Sequence, residues 1–490
     1  MSRPPSPSGE ADRRATAGLL ILLAALAVLR LLAAQSIHLT EDEAYYRLWA
    51  QQLRLGYYDH PPMVAWWIRA GRAIAGDTAL GVRLLPVMSS LLTSLLVFDL
   101  GQRLGGRRTG LMAVLLYNAT LTVGLGAILA LPDVPAALFW VLTLWALDRS
   151  RQQPAFWICA GVAAGLACLS KYSALFLAPG VLLWLALTPE GRRRLASPWP
   201  WLAVAIAAAI FSANIAWNAQ HHWLTFAKQF GRVSPGRFAP RYLVEFLAGQ
   251  FVLLNPGVAL LAGVGAVRAW TRRTGDGGVP LMAAATSAPF IAYLILHSLH
   301  DRVQAHWPVP VYCSAALLAA YAADQALGWK KRLARMAPLG MAVTAMALVY
   351  MALPQGMSQR DPAGALRGWP VFAAEVDGVR AADNAAWIGV LSYGVNGQLQ
   401  AELGASAQVI QLNERDRYAD LGETTPDLSR PGLVVDLKRR IDLAKLRACF
   451  AQVGAPTEID RGPARDSDSR YVAVAVSGPR PGLLAQGCDN

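Results

Sequence analysis

Residues 16–34, TAGLLILLAALAVLRLLAA, follow the basic pair Arg13-Arg14 and run into Thr40-Glu41-Asp42-Glu43-Ala44-Tyr45-Tyr46. An uninterrupted apolar run of this length matches the roughly 20 residues a helix needs to cross a bilayer core. A cleaved signal peptide is the competing reading, because Ala33-Ala34 would suit a peptidase. The run is long for a signal h-region, however, and further apolar runs follow it, so the stretch reads as an uncleaved first membrane helix. Everything that follows depends on this choice, since it makes the acidic segment at 40–46 the first loop beyond a membrane.

Ten more apolar runs lie near 83–101, 109–129, 134–148, 155–170, 173–189, 199–217, 242–267, 279–298, 308–327 and 336–353, which gives eleven spans with the first. Over the whole chain of 490 residues, 54% are hydrophobic and 16% charged. Soluble domains carry about 25% charged residues, and the depletion here is confined to the runs. The sequence therefore belongs to the polytopic α-helical membrane class. The net charge of +13 does not point to nucleic acid, because no basic stripe with interleaved aromatics is present. The positive charge instead sits in every second short loop: Arg103/Arg107/Arg108, Arg149/Arg151, Arg192/Arg193/Arg194, Arg268/Arg272/Arg273 and Lys330/Lys331/Arg332/Arg335. These loops share a side with Arg13 and Arg14, and the positive-inside rule makes that side cytoplasmic. The loops at 36–82, 130–133, 170–172, 218–241 and 299–307 then face outward, as does the tail after Pro354.

The expected organisation is a disordered cytoplasmic tail at 1–14, a transmembrane domain at 15–353 that includes the external loop 36–82, and an extracytoplasmic domain at 354–490. Within the loop, Ala44–Leu55 and Pro62–Ala75 read as amphipathic helices at the interface, where Trp49, Tyr57, Tyr58, Trp66 and Trp67 fit. In the C-terminal part, Ala386–Leu391, Ala407–Leu412, Pro431–Asp436 and Tyr471–Val476 read as strands of a small α/β domain. Cys159, Cys168 and Cys313 fall in apolar runs and read as small buried hydrophobes. Cys449 and Cys488 would pair if their domain faces an oxidising compartment and folding brings them together.

Several polar clusters on the external side are candidates for chemistry. Thr40 suits an N-cap for a helix with an acidic first turn. A carboxylate there, beside aromatics at the membrane boundary, would also serve as a general base. Gly56-Tyr57-Tyr58-Asp59-His60-Pro61-Pro62 is a turn leading into a helix start, with Asp59 either a metal ligand, an orienter of His60 or a plain turn residue. Asp133, in the tight Leu131-Pro132-Asp133 hairpin, either caps the next helix or faces a cavity mouth. Lys171 is a lone charge between two apolar runs; it either snorkels to the interface or neutralises a lipid-linked phosphate. His300, Arg302 and His306 add positive charge on the same side, which a departing phosphate requires. His221-His222 beside Trp223 is a weaker candidate of the same kind. No Walker loop, no dinucleotide fingerprint and no large cytoplasmic domain is present, so a transferase of this kind takes its donor from the membrane.

Asp42-Glu43 after the first span, the Tyr57–Pro62 turn, Pro132-Asp133, Lys171 and His306-Trp307-Pro308 together resemble the bacterial members of glycosyltransferase family 39. That family includes protein O-mannosyltransferases and the aminoarabinose transferases of lipid A modification. The resemblance covers roughly residues 15–350, and its most specific piece is Asp42–Pro62. It implies a GT-C architecture with many spans, interfacial helices in an external first loop and a cavity facing away from the cytoplasm. It implies a polyprenyl-phosphate or dolichyl-phosphate sugar donor used with inversion. Asp42 then matches the base or acceptor-positioning acid, with Glu43 beside it, and Asp133 the second external acid. Lys171 matches a donor-phosphate contact, a group that here takes in His60, Arg302 and His306. His60 departs from the Lys that relatives often carry before the Pro-Pro pair, and binds phosphate only if its pKa is raised. Tyr45, Tyr46 and Tyr58 are the candidate substrate-binding aromatics. Asp59 stands near a position that some relatives use for a metal, so a divalent ion is carried as an option, with no cofactor otherwise implied.

The resulting expectation is an inverting, polyprenyl-phosphate-sugar-dependent glycosyltransferase in a bacterial inner membrane. It would act on a periplasmic lipid A, core oligosaccharide, other lipid or protein acceptor. A flippase for lipid-linked sugars is the alternative of another class, disfavoured because no internal repeat is visible. A lipid-linked oligosaccharide polymerase or ligase would differ in using a diphosphate donor.

Overall fold

The computed structural model describes the chain from Pro7 to Cys488, apart from residues 232–236, 273–277, 325–327, 329–332, 334, 355, 357–360, 362, 419–420, 423–424, 463–469 and 484–487. The first six residues of the N-terminal tail and the Lys330/Lys331/Arg332 cluster lie outside the described residues. The rest of the tail departs from expectation. A single helix runs from Pro7 to Ser36, so residues 7–14 are helical rather than disordered. Pro suits the first turn of a helix, and the adjacent apolar run supplies the cooperative length that a short polar segment lacks.

By contacts the chain forms two compact units. The first comprises the residues up to Ala34, Asp59–Trp67 and Arg83–Leu348, and is helical. Among the described residues, Arg13–Ser36, Ala79–Gly105, Pro198–Gln220 and Val279–His297 are long and apolar enough to cross a membrane. Arg241–Leu253 and Pro256–Thr271, bent by 105°, add a fifth if they form one span. Four or five elements thus reach spanning length, against eleven apolar runs in the sequence. The difference lies partly in helices of 10–17 residues, such as Phe156–Ser170 and Ala337–Ala352, and partly in breaks inside the runs. The run at 109–129 divides into helices Arg107–Asn118 and Leu121–Gly126, and that at 173–189 opens with a 3-10 turn, Tyr172–Phe176.

Close helix approach in this unit depends on small residues, the usual device where lipid removes a hydrophobic drive between helices. Gly161 and Gly165, spaced i and i+4, face helix Pro198–Gln220; a Cβ on Gly161 would lie 2.6 Å from the Ala203 carbonyl oxygen. Helix Phe156–Ser170, which carries the two glycines, also holds Ile158, Cys159 and Val162, all exposed. Cys159 is therefore not the buried residue expected from its apolar surroundings, whereas Cys168 and Cys313 are buried. Arg30, a charge within the first apolar run, is fully enclosed: its guanidinium donates to Ser90 Oγ (3.1 Å) and Asn118 Oδ1 (2.7 Å). Those bonds replace the water such a group would otherwise require.

The second unit gathers Gln35–Tyr58, Ile68–Val82 and Val349–Asn490. Most of the first loop thus clusters with the C-terminal region instead of the membrane domain to which the sequence reading assigned it. The unit carries a sheet of β1 (Trp387–Val390), β2 (Gln408–Gln411), β3 (Gly432–Leu437), β4 (Phe450–Val453), β5 (Thr457–Ile459) and β6 (Tyr471–Pro479). Their order is β2-β1-β3-β6-β4, with β5 also paired to β6. β1 runs parallel to β2 and β3, while β6 is antiparallel to β3, β4 and β5. All residues of β3 are buried because both faces are covered, by Trp369, Phe372 and Val376 on one side and Leu446 and Phe450 on the other. Gly432 leaves the space that the Trp387 indole fills. The four strands read from sequence correspond to β1, β2, β3 and β6. β4 and β5 escaped that reading because they are short and largely exposed. Cys449 and Cys488 form a disulfide with Cα atoms 6.0 Å apart.

Candidate functional site

Helices Asp133–Ser150 and Phe156–Ser170 form a hairpin of the helical unit, and its geometry explains how two distant charges meet. Asp133 is the first residue of one helix, where the dipole favours an anion, and Lys171 directly follows the end of the other, where it favours a cation. Lys171 Nζ donates to Asp133 Oδ1 at 2.5 Å. His306, from the turn before Val309–Val311, places its Nε2 3.8 Å from the other carboxylate oxygen, Asp133 Oδ2. The sequence-predicted Asp133, Lys171 and His306 are therefore one constellation. Both oxygens of Asp133 thus face cationic or potentially cationic groups. Asp133 and His306 line a cavity of about 250 Å³ that is otherwise mostly apolar, with Ser89, Ser90, Thr93 and Thr122 as its other polar lining.

Other predicted members of the phosphate group lie elsewhere in the same unit. Arg302 is 65% exposed and paired with Glu245 at 3.0 Å, and does not line the cavity. Asp59 is buried, and its backbone carbonyl accepts from Gln229 Nε2 at 2.6 Å. His60, next to it, is half-buried. No group of three or more His, Cys, Asp or Glu side chains suited to a metal occurs among the described residues. His221 stacks on Trp217 at 4.1 Å and its Nδ1 lies 2.6 Å from the Trp217 carbonyl, a pairing within its own helix end.

The acidic segment belongs to the other unit. Helix Glu41–Trp49 begins with a complete capping box: the Glu43 N–H donates to Thr40 Oγ1 (3.2 Å), and the Thr40 N–H donates to Glu43 Oε2 (2.9 Å). Glu43 is fully buried in this arrangement. Its neighbour points differently. Asp42 Oδ1 accepts from the Tyr393 hydroxyl at 3.0 Å. The helix packs closely on helix Tyr393–Leu403, where a Cβ on Gly397 would sit 2.7 Å from the Ala44 backbone. Gln398 Nε2 adds a bond to the Leu39 carbonyl at 2.8 Å.

Around Asp42 stands an aromatic cage centred on Arg417, whose guanidinium carbon lies 4.9 Å from the rings of Tyr58 and Tyr393 and 5.9 Å from that of Tyr45. Tyr45 and Tyr58, two of the candidate substrate-binding aromatics, thus both lie against Arg417. Tyr46 packs on Trp49. Tyr57 stacks on Trp49 at 4.4 Å and donates to the Gln52 carbonyl, and burial pushes its phenol up to about 12. Arg417 and Tyr393 were not legible from sequence, because each lies more than 300 positions from the loop it joins and neither sits in a recognisable motif.

Comparison with known proteins bears on this geometry. The family described as dolichyl-phosphate-mannose-protein mannosyltransferase matches residues 59–217. The lipid A galacturonosyltransferase RgtD of Rhizobium johnstonii is 30% identical over 285 residues, which is 57% of this chain and 59% of that protein. Erwinia tasmaniensis undecaprenyl phosphate-alpha-4-amino-4-deoxy-L-arabinose arabinosyl transferase is 25% identical, over 62% of this chain and 57% of that one. The matches thus span somewhat under two thirds of each relative. In solved structures, ArnT from Cupriavidus metallidurans aligns in the apo state with a TM-score of 0.66 at 16% identity, covering 95% of this chain and 100% of ArnT. The same protein bound to undecaprenyl phosphate aligns at 0.65.

The chain has the GT-C fold and is similar to glycosyltransferase family 39.

The GT-C alignment runs over nearly the whole chain, so it takes in the C-terminal unit as well as the helices. The family match begins at Asp59 and contains Asp133 and Lys171, while Asp42, His306 and Arg417 fall outside it. Those three residues rest on the geometry alone.

Proposed function

We propose that this protein is a membrane glycosyltransferase that moves a sugar, with inversion, from a polyprenyl-phosphate donor to a lipid or glycan acceptor of the bacterial envelope. The observation that carries the reading is the Asp133–Lys171–His306 constellation, two of whose members, Asp133 and His306, line a mainly apolar cavity. A polyprenyl phosphate has an anionic head on a hydrocarbon chain, and this site sets an imidazole beside apolar walls, with the Lys171 ammonium paired to the same carboxylate. Relatives named for transfer to lipid A or from undecaprenyl phosphate support the same class. In the proposed step the acceptor oxygen attacks the anomeric carbon as the bond from that carbon to the phosphate oxygen breaks. The electron pair leaves with the polyprenyl phosphate. Lys171 and His306 stabilise the charge that develops there, and Asp133 keeps the ammonium aimed. Asp42 receives the proton of a hydroxyl acceptor, or positions an acceptor that is itself a phosphate and has no proton to lose.

The reading extends to topology: eleven spans, a cytoplasmic N-terminus, and a periplasmic C-terminal domain in which the Cys449–Cys488 disulfide would be stable. The test is transfer by purified protein from a polyprenyl-monophosphate sugar, with wild type compared with Lys171→Gln and Asp42→Asn. Removing one preorganised donor typically costs about 10²–10³ in rate, and a loss of that order is expected for Lys171→Gln. Full activity in that variant would remove the donor-phosphate role. Transfer only from diphosphate donors would instead make the protein a polymerase or ligase.

A further inference from the structure

We propose that Arg30 and the cavity beside it bind a single-chain carboxylate lipid, a fatty acid whose chain enters from the membrane. Arg30 carries a charge that the helical unit encloses without neutralising. It is 1% exposed, its hydrogen bonds go to the neutral Ser90 and Asn118, and no Asp or Glu pairs with it among the described residues. The Tyr117 phenol is the other group that acts on its charge. The bonds to Ser90 and Asn118 use two of the five N–H donors of a guanidinium. A buried cation without a counter-ion is costly, and ionisable residues in membrane helices pair with one another or face a cavity. Arg30 faces a cavity of about 270 Å³. None of Asp133, Lys171 and His306 lines it, so the site does not depend on the transferase reading.

The shape of the cavity is that of an amphiphile. Leu22, Leu26, Leu29 and Arg30 line it from the first helix, at spacings that share one helix face. Arg30 lies six residues from the helix end at Ser36, about 9 Å along the axis, and Leu22 lies about 12 Å further in. The cavity is therefore charged towards the end of a helix of spanning length and apolar towards its middle. A lipid lying along such a helix has the same polarity, with its head near the membrane surface. Helix Ala337–Ala352 also lines the cavity, and there Thr344 is 5% exposed with a hydroxyl that meets no hydrogen-bond partner. Ile21, Val28 and Leu32 on the first helix and Leu339 and Val343 on the other are exposed and apolar, so both walls border lipid.

Two features select a carboxylate. One positive charge calls for one negative charge, whereas a phosphate monoester carries about −1.5 to −2 at neutral pH. The cavity is also smaller than the roughly 300–1,000 Å³ of pockets that take drug-sized ligands, which leaves room for part of one chain and a small head. The planar fork of a guanidinium matches a carboxylate in geometry.

The test uses the full-length protein, delipidated in detergent at neutral pH, with oleate or oleyl alcohol added. Retention is read by native mass spectrometry and stabilisation by thermal unfolding. Oleate should be retained and raise the Tm, and oleyl alcohol, with the same chain and no charge, should do neither. Arg30→Gln keeps polar groups near Ser90 and Asn118 and should weaken oleate retention about tenfold, the equivalent of one charge-assisted contact. Ala342→Phe, at a cavity-lining residue that is itself exposed, fills the cavity and leaves Arg30 in place. It should abolish retention without lowering the lipid-free Tm, which keeps the proposal testable if Arg30→Gln fails to fold. Val343→Phe, at the next residue and outside the lining, should leave retention unchanged. Equal retention of oleate and oleyl alcohol, undiminished retention by Arg30→Gln, or equal losses for Ala342→Phe and Val343→Phe would overturn the proposal. Displacement of oleate by phosphatidylglycerol or polyprenyl phosphate would overturn the fatty-acid assignment.

Discussion

Asp42 and Glu43 are adjacent in the chain, and their carboxylates do different work. Glu43 closes the capping box on Thr40, so Glu43→Ala should destabilise the protein by about 1 kcal/mol and lower its Tm. Asp42 instead meets the Tyr393 hydroxyl. Asp42→Asn keeps an acceptor for that bond, so it should lower kcat/KM in the transfer assay while leaving the Tm within error of wild type. A parallel fall in Tm would make Asp42 a structural residue and remove its proposed role. Sequence could narrow the choice to this pair, since acidic residues beside a membrane helix stand out. It could not separate the two, because capping depends on which side chain turns back on the helix. Asp133 and Lys171 were legible for a related reason, as lone charges at the ends of apolar runs. Their direct pairing was not, because sequence does not show that the two helix ends meet. Arg302 is near His306 in sequence, yet it does not line the same cavity and pairs with Glu245.

At the scale of elements, the start of helix Glu41–Trp49 carries a consequence for pH. Burial pushes the Glu41 carboxyl above its ordinary value, against the opposing pull of Arg440 and Arg461, with Asp42 and Asp436 pushing the same way as burial. Burial likewise raises Asp436, at the carboxyl end of β3, despite its bonds from the Leu437 and Leu391 N–H groups. Both groups hold their protons more tightly in the folded chain than in the unfolded one. Their contribution to stability is therefore complete below the unfolded values and is lost as pH rises through the raised folded ones. Glu41→Gln removes one of these losses. Relative to wild type, its Tm should rise most near neutral pH and change least near pH ~4, where the unfolded carboxyl is itself largely protonated. A constant offset across that range would exclude titration of Glu41 as the cause. The disulfide gives a second test at this scale. It closes 39 residues of chain, and Cys449→Ser with Cys488→Ser should cost about 2–4 kcal/mol, read as an earlier unfolding transition of the C-terminal unit. The apolar strands β1, β2, β3 and β6 were readable because burial on both faces leaves continuous Val/Ile/Leu runs. β4 and β5 had no such pattern to read.

For the whole molecule, the informative feature is that the second unit is assembled from three separate stretches of chain. Sequence order suggests a membrane domain followed by an independent tail, and it led the first loop to be grouped with the helices. Contacts place Gln35–Tyr58 and Ile68–Val82 with Val349–Asn490, because helix Glu41–Trp49 buries Ala44, Tyr45 and Trp49 within that unit and packs on helix Tyr393–Leu403. A chain ending after Leu348 would therefore keep the helical unit and lose the partners of its own first loop. Tyr393, Gln398 and Arg417 would all be gone, which exposes Tyr45 and leaves the Leu39 carbonyl and the Asp42 carboxylate without those contacts. A nine-residue helix has little stability once its packing is removed. Limited proteolysis of this truncated form should cut within residues 35–58, while the same segment of the full-length protein resists, and the truncated form should carry out no transfer even when Lys171, Asp133 and His306 are all present. Resistance of that segment in the truncated protein would mean that the loop folds without the C-terminal stretch. Transfer at the wild-type rate would mean that the reaction needs neither the Arg417 cage nor the contacts that the C-terminal stretch makes with Asp42.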